Sequence, residues 1–131
     1  MKLLEHKHII IRAEVLDPPR AEEPTSELVR NLINEIGMKI MMGPFAQRSE
    51  MVGNAGLTVA TIIETSHVVL HTWDEVDPAL MQLDVYTCPL FEQDGSRLTA
   101  THPIYHEVIR TLFSANQDKK RAKYFLSAQV K

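Results

Sequence analysis

A single cysteine, Cys88, stands among the 131 residues of the chain. It cannot form an intramolecular disulfide, which excludes a disulfide-stapled scaffold and suits a free thiol in a reduced, cytoplasmic setting. Long apolar runs are missing as well. The first, Ile9-Ile10-Ile11, is broken by Arg12, and nothing approaches the roughly 18 consecutive apolar residues of a membrane-spanning helix. No basic patch followed by an apolar stretch opens the chain, so no secretory signal is expected there. Positive charge is not in excess: 14 Lys and Arg face 17 Asp and Glu, for a formal net charge of -3. A global field that favours nucleic acid is thereby excluded, and small molecules or protein are the expected partners. Fixed-period repeats and low-complexity linkers are also lacking.

What is present is an ordinary globular composition, 44% apolar and 24% charged, which argues against intrinsic disorder. The length suits one domain over residues 1–131 and leaves no room for a full TIM barrel or a two-domain Rossmann enzyme. A chain of this size buries roughly two-thirds of its unfolded surface, enough for a true core.

Along the chain, His6 to Leu16 is rich in Ile and Val and ends at Asp17-Pro18-Pro19, a strand followed by a breaker. Pro24-Thr25-Ser26-Glu27 offers capping residues for a helix in which Leu28, Leu32, Ile33 and Ile36 recur at helical spacing until Gly37. Met38 to Phe45 reads as a second strand and Gln47 to Gly56 as a loop. Leu57 to Ile63 and Val68 to Trp73 read as a strand pair bent at Glu64-Thr65-Ser66-His67. Leu80 to Thr87 alternates apolar with polar as a further strand, and Pro89 to Thr101 reads as loop. His102-Pro103 opens a second helix with Ile104, Val108, Ile109 and Leu112 on one stripe, and Lys123 to Val130 forms a last strand. This order predicts an α+β two-layer sandwich, a mainly antiparallel sheet with two helices on one face.

Three residues carry candidate chemistry: Ser66 at the strand corner, His71 five residues on, and Cys88 at the end of the next strand. Each has a plain alternative, since serine is a common turn residue and a lone apolar-flanked cysteine is commonly a small core side chain. On an extended strand His67, Val69 and His71 share one face and Ser66 takes the other, so contact between Ser66 and His71 requires a twist or bulge. A zinc or copper site from His6, His8, His67, His71 and Cys88 lacks any compact Cys-x-x-Cys or His-Glu-x-x-His spacing, and no metal is expected. His102 and His106, four apart on the second helix, read as surface or capping residues. Lys119-Lys120-Arg121-Ala122-Lys123 reads as a solvated turn.

Two stretches, Thr65-Ser66-His67-Val68-Val69-Leu70-His71-Thr72-Trp73-Asp74-Glu75 and Leu83-Asp84-Val85-Tyr86-Thr87-Cys88, together resemble the core of the small prokaryotic-type S-adenosylmethionine decarboxylases. That family's pattern is Glu-Ser-His, three apolar residues, His-Thr-Trp-Pro-Glu, then a strand ending Asp-aromatic-Thr-Cys. The order of elements agrees over most of the chain, and residue-level matching runs from about Gly56 to Cys88. The resemblance implies a proenzyme that cuts itself between Thr65 and Ser66 and converts Ser66 into a covalent pyruvoyl group. That group takes the substrate's amine as a Schiff base and acts as an electron sink, as pyridoxal phosphate does elsewhere. His71 matches the family's processing base, Cys88 its proton donor, and Thr58 a second processing hydroxyl. A neutral imidazole suits a base near pH 7, and an apolar site keeps a donating thiol protonated.

The resemblance further implies a homodimer with sites near the protomer interface, which would cover the sheet face opposite the helices. The substrate would be S-adenosylmethionine, feeding polyamine (spermidine) synthesis. Phe45, Trp73 and Glu75 are candidates for its adenine and sulfonium, although each also suits an ordinary core, interface or solvated position. Three departures bear on substrate choice more than on the pyruvoyl chemistry. Thr65 stands where the pattern has glutamate, Asp74 where it has proline, and the span from Trp73 to Cys88 is slightly longer. Ornithine or arginine is the alternative substrate, and an unprocessed, non-catalytic binding relative is the alternative class.

Overall fold

The computed structural model of the chain describes residues 7–87 and 124–127. Within them the elements run β1 (Lys7–Val15), α1 (Glu22–Glu35), β2 (Ile40–Ser49), β3 (Gly56–Ile63), β4 (Ser66–Trp73), β5 (Ala79–Thr87) and β6 (Tyr124–Ser127). The strands form one six-stranded sheet in the order β2-β3-β4-β5-β1-β6, and every neighbouring pair is antiparallel. The α+β expectation therefore holds for the described residues, with one helix. The second helix expected from His102 lies outside them, as do Cys88 and His106.

Period-two alternation sorts the sheet into two faces. Ile9, Ile11 and Val15 of β1, Leu57, Val59 and Ile63 of β3, Val68 and Leu70 of β4, and Met81, Leu83 and Val85 of β5 are buried. They form one core with Val29, Leu32 and Ile33 of α1, each wholly shielded from solvent. Full burial of each such aliphatic side chain contributes roughly 1.5–3 kcal/mol. The opposite face carries His8, Thr58, His67, His71, Asp84 and Tyr86, and it is the face on which polar side chains meet.

Local chemistry explains where the boundaries differ from expectation. Helix α1 starts at Glu22, ahead of the expected cap, because Ala21 is its N-cap and Pro24 sits in the first turn, where a missing N–H costs nothing. Thr25 and Ser26 are then not caps but buried positions within the helix. The end is as expected: Gly37 takes φ 75°, and the Met38 N–H reaches back to the Ile33 carbonyl to close a Schellman turn. Strand β2 continues through Gln47, Arg48 and Ser49, which were expected to be loop. Their partners are Thr58, Leu57 and Gly56, so backbone pairing rather than an apolar pattern holds this stretch. The bend between β3 and β4 shrinks to Glu64 and Thr65, with Ser66 already opposite Ile63 in the ladder. Asp74 to Pro78 connects to β5, which starts at Ala79.

Candidate active site

Ser66 begins β4 at a corner and adopts φ 152°, a non-glycine residue in backbone territory that side chains disfavour. The residues around it fix that corner. Thr65 and Thr87 share a hydroxyl–hydroxyl hydrogen bond of 2.8 Å, and both hydroxyls also approach the Met38 sulfur, at 3.4 and 3.6 Å. The residue before Ser66 is thus bonded to the residue before Cys88. This ties the two halves of the sequence motif together at one end of the sheet.

Among the described residues the imidazole at the Ser66 hydroxyl is that of His67, whose Nδ1 lies 3.4 Å from Ser66 Oγ. The Nε2 of His67 stands 3.5 Å from Asp84 Oδ1, and His8 places its own Nε2 2.7 Å from the same oxygen. Tyr86 packs between the two rings, stacked on His67 at 5.6 Å and edge-on to His8 at 5.1 Å. This polar row follows from the register: His67 faces Tyr86 across β4–β5, and Tyr86 faces His8 across β5–β1.

His71 has a different partner. Its Nδ1 is 2.9 Å from Thr58 Oγ1, a bond set by direct pairing of the two residues across β3–β4. The β4 ladder runs from Ser66 to Trp73 without a register shift, so five steps of about 3.3 Å separate Ser66 from His71 by roughly 16 Å along the strand. The structure joins Thr58 to His71 and Ser66 to His67, but within one chain it does not join Ser66 to His71.

The candidate substrate residues lie towards the His71 end. Trp73 sits beside His71, ring centroids 5.6 Å apart, and its indole N–H donates to Asn54 Oδ1 at 2.8 Å. The Glu75 carboxylate accepts the backbone N–H groups of Gly53 at 2.9 Å and Ala55 at 3.3 Å, so it clasps the loop between β2 and β3. Phe45 is 56% exposed and belongs to no core. Asp74 accepts a two-pronged bond from Arg48, at 2.7 and 2.9 Å, while Arg20 stands 3.1 Å away. The Arg48 guanidinium, foremost through these hydrogen bonds, holds the Asp74 carboxyl below the usual carboxylate range, and Asp74 in turn raises Arg48.

Among the described residues no group of three or more His, Cys, Asp or Glu is placed to hold a metal ion, and no helix is long and apolar enough to cross a membrane. The sequence offered His8 only as a metal-ligand candidate, and Asp84 and Tyr86 only as members of the matched Asp-aromatic-Thr-Cys stretch, with no role for either. Only the pairing of β1 with β5, far apart in sequence, brings His8 to them.

Two comparisons bear on this arrangement. Residues 7–117 match the family model described as S-adenosylmethionine decarboxylase. The S-adenosylmethionine decarboxylase proenzyme of Archaeoglobus fulgidus is 30% identical over 82 residues, which are 63% of this chain and 70% of that protein. A match over most of the chain, on the same strands that carry Ser66, His71 and the approach to Cys88, places the chain in the S-adenosylmethionine decarboxylase family.

Proposed function

We propose that the chain is a proenzyme that cuts itself between Thr65 and Ser66 and then decarboxylates S-adenosylmethionine through a pyruvoyl group made from Ser66. The observation that carries this reading is the Ser66 corner, where a strained backbone, an anchored preceding residue and a hydroxyl facing an imidazole nitrogen occur together. These are the features a serine needs to attack its own backbone. Ser66 Oγ adds to the Thr65 carbonyl carbon, the Thr65–Ser66 C–N bond breaks, and the amide becomes an ester. Loss of the Ser66 α-proton expels the Thr65 carboxylate and leaves dehydroalanine. Water then replaces the nitrogen, which departs as ammonia, and a ketone remains. When present, that ketone supplies the electron sink for loss of CO₂ from an amino acid.

The remaining residues take roles around this centre. His71, oriented by Thr58, is the base for the α-proton, and Cys88 returns a proton to the substrate's α-carbon. Because some 16 Å of strand separates His71 from Ser66, the processing site is completed by a second copy. Two sheets packed through their helix-free faces, related by a two-fold axis, set the partner's His71 against Ser66. Exposed Phe45 and Ile62 supply apolar surface for that contact. Phe45, Trp73 and Glu75 are the proposed contacts for the adenine and sulfonium of the substrate, in a reaction serving polyamine synthesis.

Intact-mass measurement under denaturing conditions tests the reading directly. Two fragments of nearly equal mass are expected, the second opening with a pyruvoyl group, and Ser66→Ala is expected to stay whole. A wild-type chain that remains uncut after prolonged incubation would refute self-processing. CO₂ release is expected with S-adenosylmethionine and not with ornithine or arginine.

A further inference from the structure

His67 is held between two partners that want different things from its ring. Its Nδ1 faces the Ser66 hydroxyl at 3.4 Å, and its Nε2 faces Asp84 Oδ1 at 3.5 Å. A carboxylate accepts only, so it selects the tautomer whose proton sits on Nε2. The lone pair of Nδ1 is then directed at Ser66. Asp84 is in turn bonded by His8 at 2.7 Å, and Tyr86 walls both imidazoles. The order hydroxyl, imidazole, carboxylate is the arrangement that activates a serine elsewhere. Both contacts are about half an ångström longer than an ideal hydrogen bond, and catalytic hydrogen bonds are often long before the reacting geometry forms.

Resting on the self-cleavage reading above, we propose that His67 is the general base of the first processing step, with Asp84 and His8 as its positioning residues. As Ser66 Oγ bonds to the Thr65 carbonyl carbon, its proton passes to His67 Nδ1. As the Thr65–Ser66 C–N bond breaks, His67 returns that proton to the departing nitrogen. The imidazole ends neutral, and the backbone holds an ester and an amine in place of an amide and an alcohol. Two histidines thereby divide the work: His67 serves the acyl shift, and His71 serves the later elimination. Within one chain His71 stands five residues along the strand with its Nδ1 engaged by Thr58, whereas His67 faces the Ser66 hydroxyl itself.

Hydroxylamine separates the steps, since it cleaves an ester and leaves an amide intact. Full-length chain is made by cell-free synthesis, and its cleavage is followed by intact mass with and without hydroxylamine. His71→Ala is expected to accumulate an ester that hydroxylamine cuts, and the double variant His67→Ala with His71→Ala is expected to form it about 100-fold more slowly. Added imidazole is expected to restore ester formation in His67→Ala. Asp84→Asn alone is expected to slow the shift roughly 10-fold and to add nothing in the His67→Ala background, a dependence that a purely structural role would not show. Substitution by Gln at residue 67 is measured alongside Ala, with thermal melts of each, so that a folding defect in one does not decide the result. Ester formation at the same rate with and without His67 would overturn the assignment while leaving self-cleavage intact. Wild-type chain that neither cuts nor yields a hydroxylamine-sensitive ester would overturn both.

Discussion

Ser66 pays a conformational penalty that no neighbour relieves. A side-chain-bearing residue at φ 152° costs on the order of 1–3 kcal/mol, and such cost persists only where the surroundings enforce it. Here the enforcing contacts are the β3–β4 pairing of Ser66 with Ile63 and the anchoring of Thr65 by Thr87. Ser66→Gly and Ser66→Ala both lack the attacking hydroxyl, so their stabilities compare uncut chains. Glycine is expected to be the more stable of the two by about 1 kcal/mol in urea unfolding, because it alone occupies this backbone region freely. An alanine variant equal to or more stable than the glycine variant would show that the corner holds no strain. Ser66, His71 and Thr58 could be singled out as candidates in the sequence, because a motif is a local pattern. Their partners were not: a hydroxyl at residue 58 meets an imidazole at residue 71 only through a ladder, and the sign of a backbone angle is not written in a serine.

At the scale of elements, the pattern of apolar residues located the buried strands well and the edge strand poorly. β3 and β4 announce themselves as apolar runs and β5 by alternation, and the helical spacing picks out Leu32, Ile33 and Ile36 of the buried stripe on α1 while passing over Val29. Gln47 to Ser49 carries no such signal, because this end of β2 gains its order from backbone bonds to β3 at the edge of the sheet. Gly56, at the start of β3, shows what the pattern also hides. A Cβ built there would lie 1.8 Å from the Thr72 carbonyl oxygen, which no side-chain adjustment can relieve. Next to it, the Leu57 N–H donates to Thr72 Oγ1 at 2.9 Å, so the strands are clasped closely at this point. Gly56→Ala is expected to destabilise the fold by roughly 2–3 kcal/mol through the shift it forces between β3 and β4. Equilibrium denaturation of the uncut Ser66→Ala background measures this without interference from cleavage, and a loss under about 0.5 kcal/mol would mean the strands separate at little cost.

For the molecule as a whole, Asp74 ties distant parts of the chain into one unit. Its carboxylate receives Arg48 from the end of β2 and Arg20 from the approach to α1, while its own N–H bonds the Ala55 carbonyl at 3.1 Å. Proline, which the family pattern has at this position, could supply neither the charge nor the N–H. Because the folded state holds this carboxyl below its ordinary value, its contribution to stability is complete above the unfolded carboxylate pKa of about 4 and fades as pH falls through the lower folded value. Asp74→Asn is therefore expected to melt below the unsubstituted chain at neutral pH, with the gap closing as the solution is acidified below about pH 4. A gap that stays constant down to strong acid would remove Asp74 from the acid response.

The strand order has a consequence for the two products of the proposed cleavage. A cut between Thr65 and Ser66 leaves α1 and the first three strands on one polypeptide and β4, β5 and β6 on the other, yet in the sheet they alternate: β2-β3, then β4-β5, then β1, then β6. The fragments are woven rather than stacked, and three separate ladders must open before either can leave. Weaving of this kind is easily made by one continuous chain and hard to remake from two, since the tight β3–β4 turn then becomes an encounter between separate molecules. Once cut, the protein would persist by the slowness of its unravelling, and material denatured after maturation would regain its fold at a rate that depends on concentration.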